Sequence, residues 1–211
     1  MAAPSFQRGF SMMELMVSVA ILAIVLAIGI PSFSTWISNT QVRSTAESLV
    51  AAIQLTRGEA VRQNSLAQLK LTGNAGGSAS WSVIAASSSV SGSFDTNQGA
   101  TLIQTAGATE TGVNARLGVS AATQPTSNCC TTSVVAGSGM GSNPGVVFDA
   151  FGKIVADSSV TTVTRIDVTK VGDTEANNEE KNRRMVILIA PSGAVKMCRA
   201  SLSASNSQGC P

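Results

Sequence analysis

A long stretch without charge near the N-terminus constrains this chain more than any other feature. No charged residue occurs between Glu14 and Arg43, and every residue in 15–30 is apolar or small. A helix needs about 20 apolar residues to cross a bilayer, at about 1.5 Å per residue. Residues 10–30 have that length, so the sequence predicts a membrane-spanning helix, with Arg8 keeping the N-terminus on the inner side.

The residues after the apolar run indicate whether it is kept. A secretory signal peptide carries a small-residue cleavage site directly after its apolar core. Residues 31–36 read PSFSTW and contain no convincing site of that kind. We therefore expect the mature protein to retain the apolar segment as an anchor.

Glu14 stands near the start of this segment, where a carboxylate needs a partner. Such a group costs about 2.5–3.5 kcal/mol at the centre of a membrane helix and less near the interface. If the chain is cut between Gly9 and Phe10, the new amino group lies four residues before Glu14, about one helical turn away. That cation, or the one on a neighbouring chain, would neutralise the carboxylate. We therefore predict that Glu14 acts in assembly rather than in chemistry.

Residues 8–17, RGFSMMELMV, resemble the prepilin signature of type IV pilins and type II secretion pseudopilins. In that family a prepilin peptidase cuts after the Gly and methylates the new Phe amine, and the Glu five residues into the mature chain guides packing into a filament. Gly9, Phe10 and Glu14 match these positions. Pro31 matches a family proline that is associated with bending or melting of the helix.

The resemblance also implies a location and partners. It implies a subunit held in the inner membrane by one span, with its head in the periplasm, that later enters a pilus or pseudopilus. The implied partners are other pilins or pseudopilins through the N-terminal helix, the prepilin peptidase and the inner-membrane assembly machinery. The family usually has Thr-Leu-Ile where this chain has residues 11–13, SMM, which leaves the predicted cleavage unchanged.

After Pro31 the sequence predicts that the helix continues with one apolar side. Apolar residues recur at spacings of three, four and seven, the pattern of an amphipathic helix: Val42, Ala46, Leu49, Val50, Ile53, Ala60 and Val61. We expect a leader over residues 1–9 and a helix over 10–64, whose membrane part covers about 10–33. Pro31 removes one backbone hydrogen bond and is the expected bend.

Residues 65–211 predict a β-rich head. Short apolar runs predict strands over 66–71, 81–86, 102–105, 145–148, 153–156, 163–168, 185–189 and 194–198. Turn residues at 149–152 and 191–193 predict two hairpins. The polar stretch between Leu71 and Val147 reads equally well as a long loop or as weak strands. Because the head has few aromatic residues, we expect the apolar side of the helix to complete its core, which gives an α+β fold of a long helix on an antiparallel sheet.

The head resembles the GspH/FimT group of minor pilins and pseudopilins. The motifs that carry this resemblance are residues 56–61 with Asn64, 145–148 with Gly152, 184–189, 191–193 and Cys198. The resemblance implies the same α+β head and is patchy between residues 41 and 198.

The absence of His and Tyr excludes several kinds of chemistry. Ser-His-Asp and Cys-His catalysis and histidine metal sites all need the imidazole ring. The chain has 14 Lys+Arg and 12 Asp+Glu, and a net charge of +2 produces too weak a field for a bulk nucleic-acid binder. We therefore expect a protein that is not an enzyme and that uses no cofactor and no metal.

The four cysteines predict disulfides in an oxidising periplasm. Cys129 and Cys130 are adjacent, whereas Cys198 and Cys210 lie near the C-terminus. Four cysteines allow three pairings, and a bond between adjacent cysteines closes a strained ring. A Cys198–Cys210 bond would leave the adjacent pair bonded to each other or free. Cross-pairing between the two pairs avoids this, and we favour it, with unpaired cysteines as the alternative.

The C-terminal region is the basic part of the chain. Residues 181–211 contain five basic residues and no acidic one. Some FimT-like proteins bind DNA through a Gly-Arg-x-Arg motif in this region, but residues 193–196 here read GAVK. Since Lys lacks the bidentate geometry of Arg, we favour a solvated basic face over a DNA site. The candidate DNA contacts are Lys196, Arg199, Arg183 and Arg184.

The sequence therefore predicts a minor pilin-like structural subunit of a type IV pilus, processed by prepilin peptidase and placed near the tip of the filament. Two alternatives remain open. One is a minor pseudopilin of a type II secretion system, which has the same fold and serves protein export. The other is a FimT-like pilin whose head binds DNA for uptake.

Overall fold

The structure is a computed structural model that describes residues 9–72, 79–86, 100–120, 143–172 and 183–211, with Cys130, Val134, Gly137 and Gly139 between them. The side chains of residues 28–32 and 108 are not described. The chain forms two compact units, Met1–Ile37 and Ser38–Pro211.

Helix α1 covers Met12–Gln63, 52 residues, and begins where its sequence supplies a cap. The Oγ of Ser11 accepts a hydrogen bond from the backbone N–H of Met13 at 3.4 Å. A serine in this position satisfies one of the N–H groups that the first turn of a helix leaves unpaired. The helical backbone continues through Pro31. Helix α1 thus begins two residues after, and ends one residue before, the helix predicted over 10–64.

The C-terminal end of α1 is closed by a turn at Asn64. This residue has a φ of 49°, and the N–H of Ser65 bonds to the carbonyl of Ala60 at 3.1 Å. A left-handed residue followed by such a bond is a Schellman ending, which asparagine tolerates better than most residues. One turn earlier, a hydrogen bond from Arg62 holds the pKa of Glu59 below its ordinary value.

The apolarity of α1 does not confirm the prediction that residues 10–33 span a membrane. Within the described part of the chain, no helix combines the length and the apolarity that a membrane crossing requires.

The described residues of the head form two mainly antiparallel sheets and one short helix. The strands are β1 Ala67–Leu71, β2 Trp81–Ala85, β3 Thr101–Ala106, β4 Ala115–Ser120, β5 Pro144–Phe148, β6 Ile154–Val155, β7 Thr161–Thr162, β8 Arg165–Lys170, β9 Met185–Ile189 and β10 Val195–Arg199; the helix is α2 Ala108–Thr111. The first sheet has the order β3-β2-β1-β5-β6, and β7 adds a parallel pair with β5. The second sheet has the order β10-β9-β8-β4.

The apolar side of α1 and the facing sides of both sheets form one core. Five helix residues of the predicted apolar pattern are buried in it: Val42, Ala46, Leu49, Ile53 and Ala60. The first sheet contributes Leu69, Trp81 and Phe148, and the second contributes Leu117, Ile166 and Ile187. The prediction that the helix completes the core of the head is therefore confirmed, and the fold is α+β.

Each predicted strand is present, with ends that shift by at most two residues. Three elements were not predicted, namely α2, β4 and the short β7. For β4 the signal was readable, because Ala115, Leu117 and Val119 alternate with more polar or smaller residues and all three are buried. The polar stretch around it obscured that alternation.

Two predicted hairpin turns meet the helix at Arg57. The turn between β5 and β6 has Gly152 at φ 73°, and the turn between β9 and β10 has Gly193 at φ 81°. A Cβ on Gly193 would lie 2.1 Å from the carbonyl oxygen of Gly152 and 3.1 Å from Nε of Arg57. The turns are also joined directly, since the N–H of Ile154 bonds to the carbonyl of Pro191 at 3.0 Å. Glycine is required here by both conformation and space.

The C-terminus is fixed by a disulfide that differs from the pairing we favoured. Cys198 bonds to Cys210, with 5.1 Å between their Cα atoms, so the predicted cross-pairing is wrong. Cys130 is also disulfide-bonded, and Cys129 lies outside the described residues. The physical reason is local: Arg199 and Gly209 form a β-bridge that returns the tail to the end of β10. The tail therefore presents Cys210 to Cys198.

Gly193→Ala is expected to lower the free energy of unfolding by about 3 kcal/mol, from left-handed backbone strain and the clash with Gly152. Gly172→Ala is the matched control, because Gly172 has a similar φ of 78° with open space around it. Strain alone predicts a loss of about 1 kcal/mol there. Urea denaturation followed by tryptophan fluorescence measures both values. Equal losses of stability in the two variants would contradict a close contact between the turns at Gly152 and Gly193 beside Arg57.

Candidate functional site

The peptide bond between Gly9 and Phe10 is open to solvent. Both residues are exposed, with Phe10 at 81%, and both precede the first residue of α1. No heavy atom lies within 4 Å of the position that a Cβ on Gly9 would occupy. Because both residues lie ahead of α1 and are exposed, the bond is accessible without unfolding of the helix.

Glu14 lies in the first turn of α1. A negative charge is favoured at this end of a helix, because the unpaired N–H groups of the first turn give it a partial positive charge. The Glu14 side chain is exposed, and its backbone carbonyl accepts a hydrogen bond from Oγ of Ser18 at 2.7 Å. Two residues beside it, Met13 and Leu15, are 73% and 60% exposed. Any partner that covers this apolar surface must also supply a cation or donors for the carboxylate.

The N-terminal third of α1 carries many large apolar side chains besides Glu14 and Ser18. Its large side chains are more than half exposed within the first unit: Met12, Met13, Leu15, Met16, Val17, Val19, Ile21, Leu22, Ile24, Val25 and Leu26. Soluble proteins rarely expose an apolar surface of this extent, and such a surface indicates a membrane or a protein partner. Pro31, the predicted bend, lies inside the helix further along.

The four predicted DNA contacts do not form one surface. Along β10, Val195 and Met197 pack on the main core, whereas Cys198 packs in a separate cluster on the other side of the sheet. Because side chains alternate along a strand, Lys196 shares the side of Cys198 and Arg199 points to the opposite side. Lys196 is exposed.

The side chains of Arg183 and Arg184 also lie in different environments. The backbone N–H of Arg183 bonds to Oδ1 of Asn39 at 3.1 Å, and its side chain is exposed. Arg184 is buried, with a side chain that is 4% exposed, and it pairs with Asp167 at 2.9 Å. Its guanidinium is therefore committed to the interior of the head and does not face a ligand in solution.

Asp167 is the centre of a buried ionic cluster on the second sheet. Its carboxylate accepts hydrogen bonds from Arg165 at 2.7 and 2.8 Å, from Arg184 at 2.9 Å and from the N–H of Val134 at 3.0 Å. Arg184 also donates to the carbonyl of Cys130 at 2.6 Å. The cluster ties described residues of the 130–139 region to strands β8 and β9.

The described cysteine sulfurs lie close together, but their disulfide bonds prevent them from acting as metal ligands. Among the described residues, Sγ atoms of Cys130, Cys198 and Cys210 all lie within 4.8 Å of one another, and all three residues are buried. A metal needs thiolates as ligands, and each of these sulfurs is already part of a disulfide.

A cavity of about 380 Å³ lies between the end of α1 and the turn from β5 to β6. Leu66, Phe151 and Val155 give it a mostly apolar lining, and Asp149 is its acidic residue. Oδ1 of Asp149 accepts the N–H groups of Phe151 and Lys153, both at 2.9 Å. The carboxylate therefore stabilises the turn. The described lining of the cavity contains no second titratable side chain that could pair with Asp149 in acid–base chemistry.

Sequence reasoning missed three contributors. Ser11 caps α1, and the spacing of Ser11 and Glu14, S-x-x-E, is a signal for a helix start that could have been read. Arg57 and Asp167 gave no such signal. Their importance depends on residues from distant strands and turns that approach them only after folding.

The N-terminal segment matches a family model. Residues 4–30 match the model described as "Prokaryotic N-terminal methylation motif", which supports the resemblance drawn from residues 8–17. No curated protein has a matching sequence. Among solved structures, the chain is similar to the crystal structure of the type IV minor pilin FimU of Pseudomonas aeruginosa (strain PAO1). The two share 14% identity with a TM-score of 0.44, over 77% of this chain and 94% of that chain.

Asp167→Ala is expected to lower the free energy of unfolding by about 3–5 kcal/mol, because it removes the buried carboxylate that pairs with the buried Arg184 and the half-buried Arg165. Glu47→Ala removes the exposed partner of Arg43, a pair that spans 2.7 Å on the surface of α1. Such a pair contributes about 0.5 kcal/mol or less. Urea denaturation compares the two variants. A small effect of Asp167→Ala would show that the head does not depend on this cluster.

Proposed function

We propose that this chain is a minor pilin-like structural subunit of a type IV pilus. A prepilin peptidase cuts it after Gly9, the new amine of Phe10 is methylated, and the subunit enters the filament near the tip. The observation that carries this proposal is the methylation motif over residues 4–30, with Gly9 and Phe10 exposed ahead of the helix. The role is structural and not enzymatic.

Cleavage changes the electrostatics of the helix start. Hydrolysis of the bond between Gly9 and Phe10 leaves a protonated amine on Phe10, one turn before Glu14. Methylation keeps the positive charge and adds apolar surface. In an apolar bundle, an isolated carboxylate is costly, but a carboxylate beside an ammonium group is compensated. The Glu14 of one subunit therefore favours a neighbour whose processed N-terminus reaches it, and this pairing sets the register between subunits.

The apolar surface of residues 10–33 serves two successive environments. We propose that it first holds the subunit in the inner membrane, with the head in the periplasm, and then packs against neighbouring helices in the filament. Lipid tails are as apolar as these side chains, so the transfer gains little from the hydrophobic effect. Polar contacts such as the one at Glu14 can then decide when and where the subunit packs.

A minor pseudopilin of a type II secretion system is the second candidate. Processing, methylation and the Glu14 contact would be the same there, so none of the residues discussed above distinguishes the two. The neighbouring genes do distinguish them, because pilus genes accompany one assembly and secretion genes accompany the other. We do not extend the proposal to DNA uptake, because Lys196 and Arg199 lie on opposite sides of β10 and Arg184 is buried.

The N-terminus of the mature protein tests the processing step. Protein purified from cells that contain the prepilin peptidase is expected to begin at a methylated Phe10, as measured by mass spectrometry. A Gly9→Val variant is expected to keep residues 1–9, because the side chain obstructs the peptidase. Mature protein that begins at Met1 in the wild type, or anywhere after residue 30, would contradict the proposal.

Glu14→Gln is expected to leave the protein in the membrane fraction and to reduce its incorporation into filaments strongly, because the amide cannot neutralise the processed amine. Glu47→Gln is the matched control, since Glu47 is an exposed carboxylate of the same helix in the head. Immunoblots of membranes and of sheared filaments measure both. Equal incorporation of the two variants would remove the assembly role of Glu14.

A further inference from the structure

Two aromatic side chains lie on α1 just after its apolar part. Phe33 and Trp36 are 62% and 63% exposed. Their rings stack with centroids 5.8 Å apart and planes at 26°. The spacing of three residues places them on one side of the helix, and both belong to the first unit. The pair is a stacked, exposed aromatic patch in a chain whose aromatic content is only 4%.

This patch stands at a change of polarity. Before it, no charge occurs after Glu14. Beyond Phe33, polar residues become frequent over 34–40, STWISNT, and Arg43 is the first charged residue. An aromatic pair between an apolar and a polar segment is typical of a helix that leaves a bilayer, because Trp has an apolar ring and one polar N–H group.

The distance along the helix agrees with this position. From Glu14 to Phe33 there are 19 steps, which correspond to about 28 Å at 1.5 Å per residue. The hydrocarbon core of a bilayer is about 30 Å thick. With Glu14 at one surface of the core, Phe33 therefore reaches the other surface, and Trp36 lies one turn further, at the level of the lipid carbonyl and head groups.

We propose that the Phe33–Trp36 pair binds the interfacial region of a phospholipid bilayer, on the side of the head, and fixes the depth of the subunit before assembly. This inference rests on the proposed residence in the membrane and adds a defined lipid contact to it. The uncharged sequence that runs from residue 15 to the aromatic pair and the match in length favour lipid as the occupant over a neighbouring helix.

Quenching of Trp36 fluorescence tests this position in the full-length protein. The protein is reconstituted into vesicles of phosphatidylethanolamine and phosphatidylglycerol that contain lipids brominated either near the carbonyl end or near the methyl end of the chain. Trp81 is 2% exposed within the head, so it gives an unquenched background, which the Trp36→Phe variant measures alone. Leu22→Trp in that variant places a reporter in the middle of the apolar segment as a positive control for deep quenching.

The expected result is quenching of Trp36 mainly by lipids brominated near the carbonyl end, and its loss in Trp36→Phe. The Leu22→Trp reporter should show the reverse preference. Two outcomes would overturn the inference while the protein still floats with the vesicles: quenching of Trp36 mainly from the methyl end, or no quenching at all, as expected if another helix covered the rings. Failure to float with the vesicles would overturn the proposed membrane residence itself.

Discussion

The apolar side of α1 between Val42 and Ala60 holds the head together. The inner sides of both sheets pack against the helix in one shared core. Each large apolar side chain buried there contributes about 1.5–3 kcal/mol. The helix is thus part of the head and not only an attachment to it. Helix α1 itself covers Met12–Gln63.

Polar and covalent contacts fix what hydrophobic burial leaves unspecified. The Arg57 side chain fits against two glycine turns, which aligns the helix with the end of β5 and the start of β10. On the second sheet, Asp167 and its arginines hold the region around Cys130, and the Cys198–Cys210 bond holds the C-terminus. These contacts are directional, so each specifies one arrangement where an apolar core alone would permit several.

The N-terminal segment differs from the head in that its apolar side chains are exposed rather than buried. Its large apolar side chains between Met12 and Leu26 are more than half exposed, and such exposure is a liability in a protein that remains alone in water. An exposed apolar surface of this extent indicates a membrane or a protein partner. We therefore expect Glu14 and the pair of Phe33 and Trp36 to matter more for function than the residues of the head core, whose role is packing.

The sequence by itself determined the elements with strong periodicity and the motif with fixed spacing. The helix, its apolar stripe, the hairpins at 149–152 and 191–193, and the prepilin signature around Gly9, Phe10 and Glu14 all depend on residues within a few positions of one another. Local pattern encodes such features directly. The roles of those signature residues in processing and assembly stay predictions.

Only the tertiary structure decided which distant residues meet. It paired Cys198 with Cys210, buried Arg184 against Asp167, separated Lys196 from Arg199, and brought Gly152 and Gly193 to Arg57. Each of these outcomes depends on strand register and on which side of a sheet a residue faces. A shift of one residue reverses that side, and the register is set by the packing of the whole core, so no short stretch of sequence contains it.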